Sequence, residues 1–469
     1  MHFLLLNPPG RMRYSRDYFC SKVTKAGYAE HPVDLLILSG TISSAGHRVS
    51  VVDAIVENLD FSATEKLIES LHPDILIFLS GSTSWKDDFD FLFKIKRSHP
   101  QMLFAGLGDI FLEEQFFINH TWIDAVILDF TSCEILAYAE GQRENFKSLG
   151  FRDKGKFYFP EKSKPSEEFT IALPRHDLFL RKRYSFPFAK RLPFATLLTD
   201  YGCPFQCRFC IYPTLGFKLR SLDNVLAELK QIHSLGISEL FIKDQSFAAN
   251  KERTLKLCEE MRKIGKFSWT CFLRTDLAEE GLLRAMKKAG CHTVMLGVES
   301  ANPEILSKYK PGVTQENIKA AFKLCRKIGI DTVGIFILGF PGEDEKSVLA
   351  TIDLALELKC DFASFNVYVP KLVTPLRKDL ISQHLIDDSQ LDILDQSGIA
   401  SVWHNEYLKP QELGALRRLA IRKFYFRPFY LAKMLLKKVL PLSRLPVFLN
   451  SLFFIMRDAN MKKPGPRSN

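Results

Sequence analysis

Long uninterrupted apolar segments are missing from this sequence of 469 residues. No run of about 18 uncharged apolar residues occurs, so we expect no membrane-spanning helix. The start of the sequence also has no basic leader before Pro8 and Pro9, so we expect no secretory signal peptide. In the cytoplasmic location that this predicts, the ten cysteines are thiols or metal ligands rather than disulfides.

A basic character spread over the whole chain is absent too, although the formal net charge is +10. Residues 409–469 contain fourteen Lys and Arg residues against only Glu412 and Asp458, so the rest of the chain is nearly neutral. No recognised nucleic-acid-binding module accompanies this charge, which argues against a nucleic-acid partner. Hydrophobic and charged shares of 46% and 25% are those of a globular protein and exclude wholesale disorder.

The first 150 residues alternate apolar segments with amphipathic ones, a pattern typical of strands that alternate with helices. The predicted strands are Phe3–Leu6, Arg48–Val52, Asp74–Leu79, Met102–Ala105 and Ala125–Leu128. Residues 1–150 are therefore predicted to form a Rossmann-like domain with a parallel sheet covered on both faces. Ligands bind beyond the C-terminal ends of such strands. Two of these ends carry small residues, Gly81-Ser82-Thr83 and Gly106-Leu107-Gly108, either as a ligand site or only as tight turns.

The rest of the chain divides into three regions. Residues 151–191 are polar, aromatic and proline-containing, which indicates a linker. Residues 192–385 again alternate strands and helices, with strands predicted at Ala195–Thr199, Glu239–Lys243, Trp269–Leu273, Thr293–Leu296, Thr332–Leu338 and Ala363–Val367. Six such units predict a partial (β/α)6 barrel of the TIM type, with its site at the C-terminal strand ends. Residues 386–469 are predicted to form a basic, helical C-terminal tail.

Three cysteines with the spacing C-x3-C-x2-C, Cys203, Cys207 and Cys210, follow the first strand of this second series. Cysteine thiolates hold iron–sulfur clusters, and three of them leave one iron of a [4Fe–4S] cluster open. Structural zinc is the main alternative, but such a site is closed by four ligands. No histidine stands nearby and the next cysteine is Cys258, so a [4Fe–4S] cluster is the preferred interpretation.

The cysteine motif, with an aromatic residue before its third cysteine, resembles the signature of the radical S-adenosylmethionine (SAM) enzymes. The resemblance continues in order along residues 192–372, through segments similar to those that contact the methionine end, the ribose and the adenine of SAM. The residues that it implies at the cofactor are Phe209, Asp244, Ser246, Arg274, Glu299, Ser300, Gly334 and Gly339.

The chemistry of these residue types suits that cofactor. Asp244 and Glu299 offer acceptors for an ammonium group and for ribose hydroxyls, and Arg274 offers a fixed donor fork for a carboxylate. Glycine allows the backbone to approach the adenine closely. Each side chain also has a structural alternative: Asp244 and Glu299 as helix caps, and Arg274 as the partner of Asp276.

The N-terminal region is similar to the cobalamin-binding domains that precede some radical SAM domains, particularly in the group of the anaerobic magnesium-protoporphyrin ester cyclases and hopanoid-modifying enzymes. Asn7-Pro8-Pro9, Ala45-Gly46-His47 and Ser80-Gly81-Ser82 carry this likeness. It implies cobalamin contacts at Gly81, Ser82, Thr83, Gly106 and Gly108. The D-x-H-x-x-G motif of other cobalamin proteins is absent, and the alternative is a domain that only shapes the substrate cavity.

The resemblance implies an enzyme that cleaves SAM reductively to a 5′-deoxyadenosyl radical and modifies an unactivated carbon of a small molecule. Contact of the basic C-terminal tail with a membrane would favour a hydrophobic or lipid-like substrate. Methyl transfer from methylcobalamin is the preferred outcome, with ring closure or rearrangement, or a non-catalytic iron–sulfur protein, as alternatives. The enzyme needs a reducing electron donor. The basic tail, rich in aromatics, predicts peripheral contact with the inner face of the membrane; the alternative is a helix packed on the barrel.

Overall fold

The computed structural model describes residues 1–25, 28–161, 167–180, 184–391, 394–399, 403–428, 430 and 456. Two parallel sheets follow one another along the chain with helices between their strands, so the predicted α/β class is confirmed. Apart from Tyr430 and Met456, the predicted membrane-contacting segment beyond Pro428 lies outside the described residues. Among the residues described, no helix combines the length and apolar composition needed to cross a bilayer.

The first sheet has seven strands in the order β4-β1-β5-β6-β7-β8-β9, of which the first five are parallel. Its region contains β1 His2–Asn7, β2 Tyr14–Asp17, β3 Cys20–Val23, α1 Val33–Ser44, β4 Arg48–Asp53, α2 Ala54–Glu57, α3 Phe61–Leu71, β5 Ile75–Leu79, α4 Trp85–Ser98, β6 Leu103–Leu107, α5 Glu114–Asn119, β7 Ala125–Ile127, α6 Glu134–Ala139, β8 Leu149–Asp153 and β9 Lys156–Tyr158. All five predicted strands are present. Strands β8 and β9 pair antiparallel at the sheet edge, so the start of the predicted linker is strand instead.

The apolar sequence of the central strands explains their position. Every residue of β1 and β5 is buried, because helices cover both faces of the sheet. Helix α1 is itself buried from Val33 to Ile42, and its side chains share one core with Phe241, Met295 and Val333 of the second sheet. The two sheets are therefore joined by a continuous apolar interface.

The second sheet has six parallel strands in the order β11-β14-β15-β16-β17-β18. Its region contains β10 Glu168–Phe169, α7 Asp177–Leu180, β11 Phe194–Leu197, β12 Asp200–Gly202, β13 Phe217–Arg220, α8 Leu222–Ser234, β14 Glu239–Ile242, α9 Lys251–Ile264, β15 Ser268–Arg274, α10 Glu280–Lys288, β16 Cys291–Glu299, α11 Pro303–Tyr309, α12 Gln315–Ile328, β17 Asp331–Leu338, α13 Glu345–Glu357, β18 Phe362–Val367, α14 Pro375–Ser382 and α15 Pro410–Tyr425. All six predicted strands are present, and the parallel order places their C-terminal ends on one side.

A short antiparallel hairpin, β2 and β3, was not predicted from the sequence. The guanidinium of Arg16 is buried and forms an ion pair with Asp88, with Nη2 and Oδ1 2.5 Å apart. At the other side of the hairpin, the Gly202 amide donates to the hydroxyl of Tyr18 at 2.6 Å. The hairpin thus connects the N-terminal sheet to the residue that precedes the cysteine motif.

Helix α15 belongs to the region predicted as a basic tail. Its buried residues Leu413, Ala420 and Phe424 pack into the core of the second sheet, and Tyr425 donates from its hydroxyl to the carbonyl of Ala363 in β18 at 2.6 Å. For this described part of the tail, packing on the sheet is the arrangement observed.

Candidate active site

A cavity of about 440 Å³ lies at the C-terminal ends of strands β14 to β18. Its wall is completed by the β2–β3 hairpin and by the loop that follows β12. A volume of this size is within the range of small-molecule sites, about 300–1,000 Å³. Seven of the predicted site residues line it: Cys203, Cys207, Phe209, Cys210, Ser246, Arg274 and Glu299.

Local backbone structure positions the three cysteines. Strand β12 pairs antiparallel with β13, and the Cys203 amide donates to the Gly216 carbonyl at 3.1 Å, which closes the base of the loop. Gly202 has φ +76°, and a Cβ there would lie 1.7 Å from the Gly216 carbonyl oxygen, so only glycine fits. The loop therefore leaves the sheet directly into the cavity.

Burial and two neighbouring cations have opposite effects on the pKa of the cysteine thiols. Burial raises the pKa of Cys203 to about 11 and also raises the pKa of Cys207 and Cys210. Lys310 and Arg274 act against this rise at Cys207, where Nη1 of Arg274 donates to Sγ at 3.3 Å. Because iron binds the thiolate, these cations favour the ligand form.

The three cysteine side chains fit a cluster. In the described part of the chain, no group of three or more His, Cys, Asp or Glu side chains is close enough to hold a single metal ion. A [4Fe–4S] cluster has a different requirement, because each cysteine binds a different iron at a corner of the cubane. Cys203, Cys207 and Cys210 face one cavity and interact electrostatically with one another.

Arg274 lies in the cavity wall, but most of its donors are already engaged. Nε and Nη2 donate to the carboxylate of Asp276 at 3.0 and 2.9 Å, and Nη2 also donates to the Pro311 carbonyl. Its guanidinium lies over the Phe205 ring, 4.0 Å from the centroid. The alternative pairing with Asp276 is therefore the one observed, and Arg274 holds the cysteine loop at Cys207.

Ser246 and Glu299 present polar atoms to the cavity. The Ser246 hydroxyl is buried and has no hydrogen-bond partner within the described residues, so it is available to a ligand. Glu299 ends β16 with φ +65°, beside a bulge in the pairing with β17. Lys310 donates from Nζ to Glu299 Oε1 and to the Gly297 carbonyl, both at 2.8 Å. Sequence reasoning missed Lys310, whose only local signal is the Pro311-Gly312 turn after it.

Two predicted cofactor residues lie behind the cavity wall instead. Asp244 is buried and accepts hydrogen bonds from the amide and hydroxyl of Thr199, at 2.6 and 2.5 Å. Ser300 donates from its hydroxyl to Glu343 Oε1 at 2.6 Å. Neither side chain borders the cavity. Asp244 instead connects the segments after β14 and β11, and Ser300 connects the segment after β16 to the turn before α13.

The predicted adenine-side glycines also serve packing. A Cβ on Gly334 would lie 2.7 Å from the ring of Phe336, and a Cβ on Gly339, which has φ +82°, would lie 2.5 Å from Leu413 of α15. The cavity is lined at β17 by Val333, Ile335 and Ile337, whose side chains alternate with Gly334 along the strand.

The predicted cobalamin residues lie away from the cavity, at the C-terminal edge of the first sheet. Here the β2–β3 hairpin packs against the turn that follows β5. The Thr83 amide donates to the hydroxyl of Ser21 at 2.9 Å, and a Cβ on Gly81 would lie 2.2 Å from the Cβ of Ser21. Ser82 donates from its amide and hydroxyl to Asp109. Gly106 and Gly108 are similarly covered, by the ring of Phe111 and the carbonyl of Ser80. In this conformation these residues form no open cradle for a corrinoid.

Comparison with known proteins identifies the family. The radical SAM superfamily matches this chain over residues 198–355. An uncharacterized methyltransferase of Pyrococcus horikoshii, PH0819, is 31% identical over 401 residues, which cover 82% of this chain and 84% of that protein. The chain belongs to the radical SAM superfamily. It is also 24% identical to the anaerobic magnesium-protoporphyrin IX monomethyl ester cyclase of Cereibacter sphaeroides, over 78% of this chain and 60% of that enzyme.

Solved structures of radical SAM proteins share the fold. The methyltransferase TsrM of Kitasatospora setae, solved with cobalamin and a [4Fe–4S] cluster, has a TM-score of 0.64 at 18% identity and covers 81% of this chain and 78% of its own. The cobalamin-dependent SAM radical enzyme OxsB, solved with aqua-cobalamin and SAM, has a TM-score of 0.67 at 15% identity over 98% of this chain and 71% of its own. Both likenesses extend beyond residues 198–355, so they include the N-terminal sheet.

For this radical SAM protein, we expect Ser246→Ala to weaken SAM binding about tenfold, because the free hydroxyl of Ser246 contributes roughly one hydrogen bond to a ligand. Equilibrium dialysis of the anaerobically reconstituted chain measures the dissociation constant. Thr270→Val is the matched control, since its hydroxyl is equally buried and unpartnered within the described residues but does not line the cavity. Equal effects of the two substitutions would contradict a role of Ser246 at SAM.

Proposed function

We propose that Cys203, Cys207 and Cys210 of this radical SAM enzyme hold its [4Fe–4S] cluster, and that SAM binds beside them in the same cavity. The observation that carries the proposal is the meeting of the three cysteines with Ser246 and Glu299 at one set of C-terminal strand ends. We also propose that the six-stranded sheet of residues 192–385 is a partial (β/α)6 barrel, preceded by a separate domain of residues 1–150.

A [4Fe–4S] cluster held by Cys203, Cys207 and Cys210 would supply the one-electron reduction of SAM, which would give methionine and a 5′-deoxyadenosyl radical. This electron comes from an external reducing donor. The chain's own residues bind and orient the reactants. Ser246 offers its free hydroxyl to the cofactor, and Glu299, held by Lys310, offers its carboxylate to the ribose hydroxyls. Arg274 keeps Cys207 in place.

Such a radical would abstract a hydrogen atom from an unactivated carbon of a small molecule. Its surroundings must be dry and unreactive for this, because water and exposed polar groups promote side reactions. Apolar side chains supply such a surface inside the barrel, with Phe272, Met295, Val333, Ile335 and Phe362 in the cavity wall. A hydrophobic substrate suits this wall, as the sequence led us to expect.

Methyl transfer is the outcome that the relatives favour. The protein of Pyrococcus horikoshii is named a methyltransferase, and TsrM and OxsB are described with cobalamin. We therefore propose cobalamin-dependent methylation as the first candidate function. Corrinoid binding at Gly81–Thr83 requires the hairpin residue Ser21 to move, so we derive no catalytic step through the corrinoid from this structure.

Ring closure or rearrangement without cobalamin is the second candidate. The observation that favours it is the closed edge of the first sheet, where Ser21 and Phe111 fill the positions beside the turn glycines. The similarity to a magnesium-protoporphyrin ester cyclase is compatible with this outcome. In that case the N-terminal domain supplies a wall of the substrate cavity through its hairpin.

Anaerobic reconstitution with iron and sulfide tests the proposal, with hydroxocobalamin present in one half of the samples. After reduction, 5′-deoxyadenosine is measured by chromatography and bound corrinoid by its visible spectrum. Deoxyadenosine together with retained corrinoid supports the methyltransferase, whereas deoxyadenosine without retained corrinoid supports the second candidate. A chain with an intact cluster that forms no deoxyadenosine, even with a cell-extract pool of small molecules, would overturn the radical function.

A further inference from the structure

The wall of the active-site cavity carries an excess of positive charge. Seven Lys and Arg side chains line it, against the three carboxylates of Asp17, Glu30 and Glu299. A [4Fe–4S]²⁺ cluster with three thiolates carries a single negative charge, and SAM carries a single positive one. The two bound cofactors together therefore leave this excess unchanged.

The three carboxylates are already engaged by two of the lysines. Lys243 forms ion pairs with Asp17, at 2.6 Å, and with Glu30, while Lys310 pairs with Glu299 at 2.8 Å. Arg274, also in the wall, has Asp276 as its partner. These pairs account for every carboxylate of the cavity wall.

Lys22 and Lys371 are different, because neither forms an ion pair within the described residues. Lys371 donates from Nζ to the thiol sulfur of Cys20 at 3.4 Å, and sulfur is a weak acceptor. Lys22 lies two residues after Cys20 on β3, and its neighbours Tyr28, Glu30 and Cys20 raise its pKa, so its ammonium group is charged at neutral pH. Gln396 is the second donor to this sulfur, with Nε2 3.7 Å away.

These donors lie beside the cysteine loop and opposite an apolar surface. The positive charge of Lys371 acts on the Cys210 thiol and lowers its pKa, although burial dominates at that cysteine. Phe272, Val333, Ile335 and Phe362 form apolar parts of the same cavity. A half-buried ammonium group without an ion-pair partner, as at Lys371, is costly, so an anion bound there is stabilising. Lys22, which the charge of Glu30 also reaches, adds a second ammonium group to the same wall.

We propose that Lys22 and Lys371 bind an anionic group, a carboxylate or a phosphate, on the small-molecule substrate of this enzyme. The substrate is then amphipathic, with its anionic group near the hairpin and its apolar part toward the barrel wall, where the radical reacts. The inference rests on the proposed function in one respect, that this cavity is the place of the radical reaction. It assigns the β2–β3 hairpin a role in substrate recognition.

Short-chain probes test this subsite on the full, anaerobically reconstituted chain. Hexanoate, hexyl phosphate and hexanol have the same apolar chain and differ in the terminal group. We expect at least one of the two anions to bind roughly tenfold more tightly than hexanol in calorimetry, because hydrogen bonds to charged groups are the stronger ones. The anion that binds more tightly identifies the group. Binding of hexanol as tight as that of both anions would overturn the proposal.

Lys22→Gln and Lys371→Gln remove one charge each, and each is expected to weaken binding of the preferred anion roughly tenfold while leaving hexanol binding within about twofold. Lys230→Gln is the control, since Lys230 is exposed on α8 and does not line the cavity. Cluster absorbance is recorded for each variant to establish folding, and if one variant loses its cluster the other carries the test. Unchanged anion binding in both would overturn the proposal.

The same samples separate this inference from the proposed function. Deoxyadenosine formation from SAM is measured on the unmodified chain alongside the probe titrations. Anion-selective binding in a chain that forms no deoxyadenosine would leave the subsite in place and remove the radical function. Deoxyadenosine formation without anion-selective binding would support the radical function and overturn the anion subsite.

Discussion

Replacing Cys207 with alanine is expected to reduce 5′-deoxyadenosine formation to background and to remove the visible absorbance of the cluster. Four cysteines line the cavity, and three of them, Cys203, Cys207 and Cys210, are the proposed ligands of the [4Fe–4S] cluster. Cys207 also accepts a hydrogen bond from Arg274. With two protein thiolates left, the cluster loses its anchoring at one iron, and electron transfer to SAM ceases. Iron and sulfide analysis with a deoxyadenosine assay measures both effects.

Two control substitutions make this result specific. Cys133→Ala changes an exposed cysteine outside the cavity and is expected to leave iron content and deoxyadenosine formation unchanged. Cys20→Ala removes the fourth thiol of the cavity wall, beside Lys371, and is expected to leave the iron content unchanged. If Cys20→Ala removed the cluster and Cys207→Ala did not, the assignment of the three ligands from the sequence motif would be wrong.

Strand positions were predictable because their signal is local. The buried strand Ile75–Leu79 is apolar along its whole length, and Asp331–Leu338 is apolar from Val333 onward. The helices between the strands are amphipathic, so period and length distinguish the two kinds of element. The hairpin Tyr14–Val23 was not predictable in this way. It contains the charged residues Arg16 and Asp17, and it is stabilised by their partners Asp88 and Lys243, which lie elsewhere in the chain.

The residues of the candidate site also divide into those with a local sequence signal and those that only the tertiary structure brings together. The cysteines stand close together in the sequence, so their spacing alone predicted that they meet, and all three line the cavity. Asp244 and Ser246 follow the same strand, yet only Ser246 faces the cavity, while Asp244 is turned to Thr199. Lys22, Lys310 and Lys371 were missed because lysines are frequent on surfaces. Only the tertiary structure places these three around one cavity.

Asp88→Asn is expected to lower the free energy of unfolding of the protein by about 3–5 kcal/mol, the range for a buried ion pair that loses one partner. Arg16 and Asp88 are 1% and 0% exposed in their side chains. Asp88 also accepts hydrogen bonds from the hydroxyls of Ser80 and Ser84, at 2.8 and 2.7 Å. Asparagine retains the size of the side chain but leaves the guanidinium of Arg16 buried without a counter-ion.

Hydrogen exchange of the hairpin amides, together with the melting temperature, measures this loss. Lys94→Gln on the same helix α4 is the matched control, because the Lys94 side chain is 66% exposed and pairs with Glu65 at the surface of the protein, where such ion pairs contribute about 0–1 kcal/mol. Equal losses in the two variants would mean that the buried pair does not stabilise the hairpin. Faster exchange confined to residues 14–23 in Asp88→Asn would locate the effect in the hairpin.

The same variant distinguishes the two candidate functions. The hairpin covers Gly81 and Thr83 through Ser21 and also carries Lys22 into the cavity wall. If the N-terminal edge binds a corrinoid once the hairpin moves, Asp88→Asn is expected to retain more hydroxocobalamin than the unmodified chain. If the hairpin is a permanent wall of the substrate cavity, corrinoid retention stays at background and anion binding weakens instead. The direction of these two changes reports whether the hairpin acts as a gate for a cofactor or as part of the substrate site.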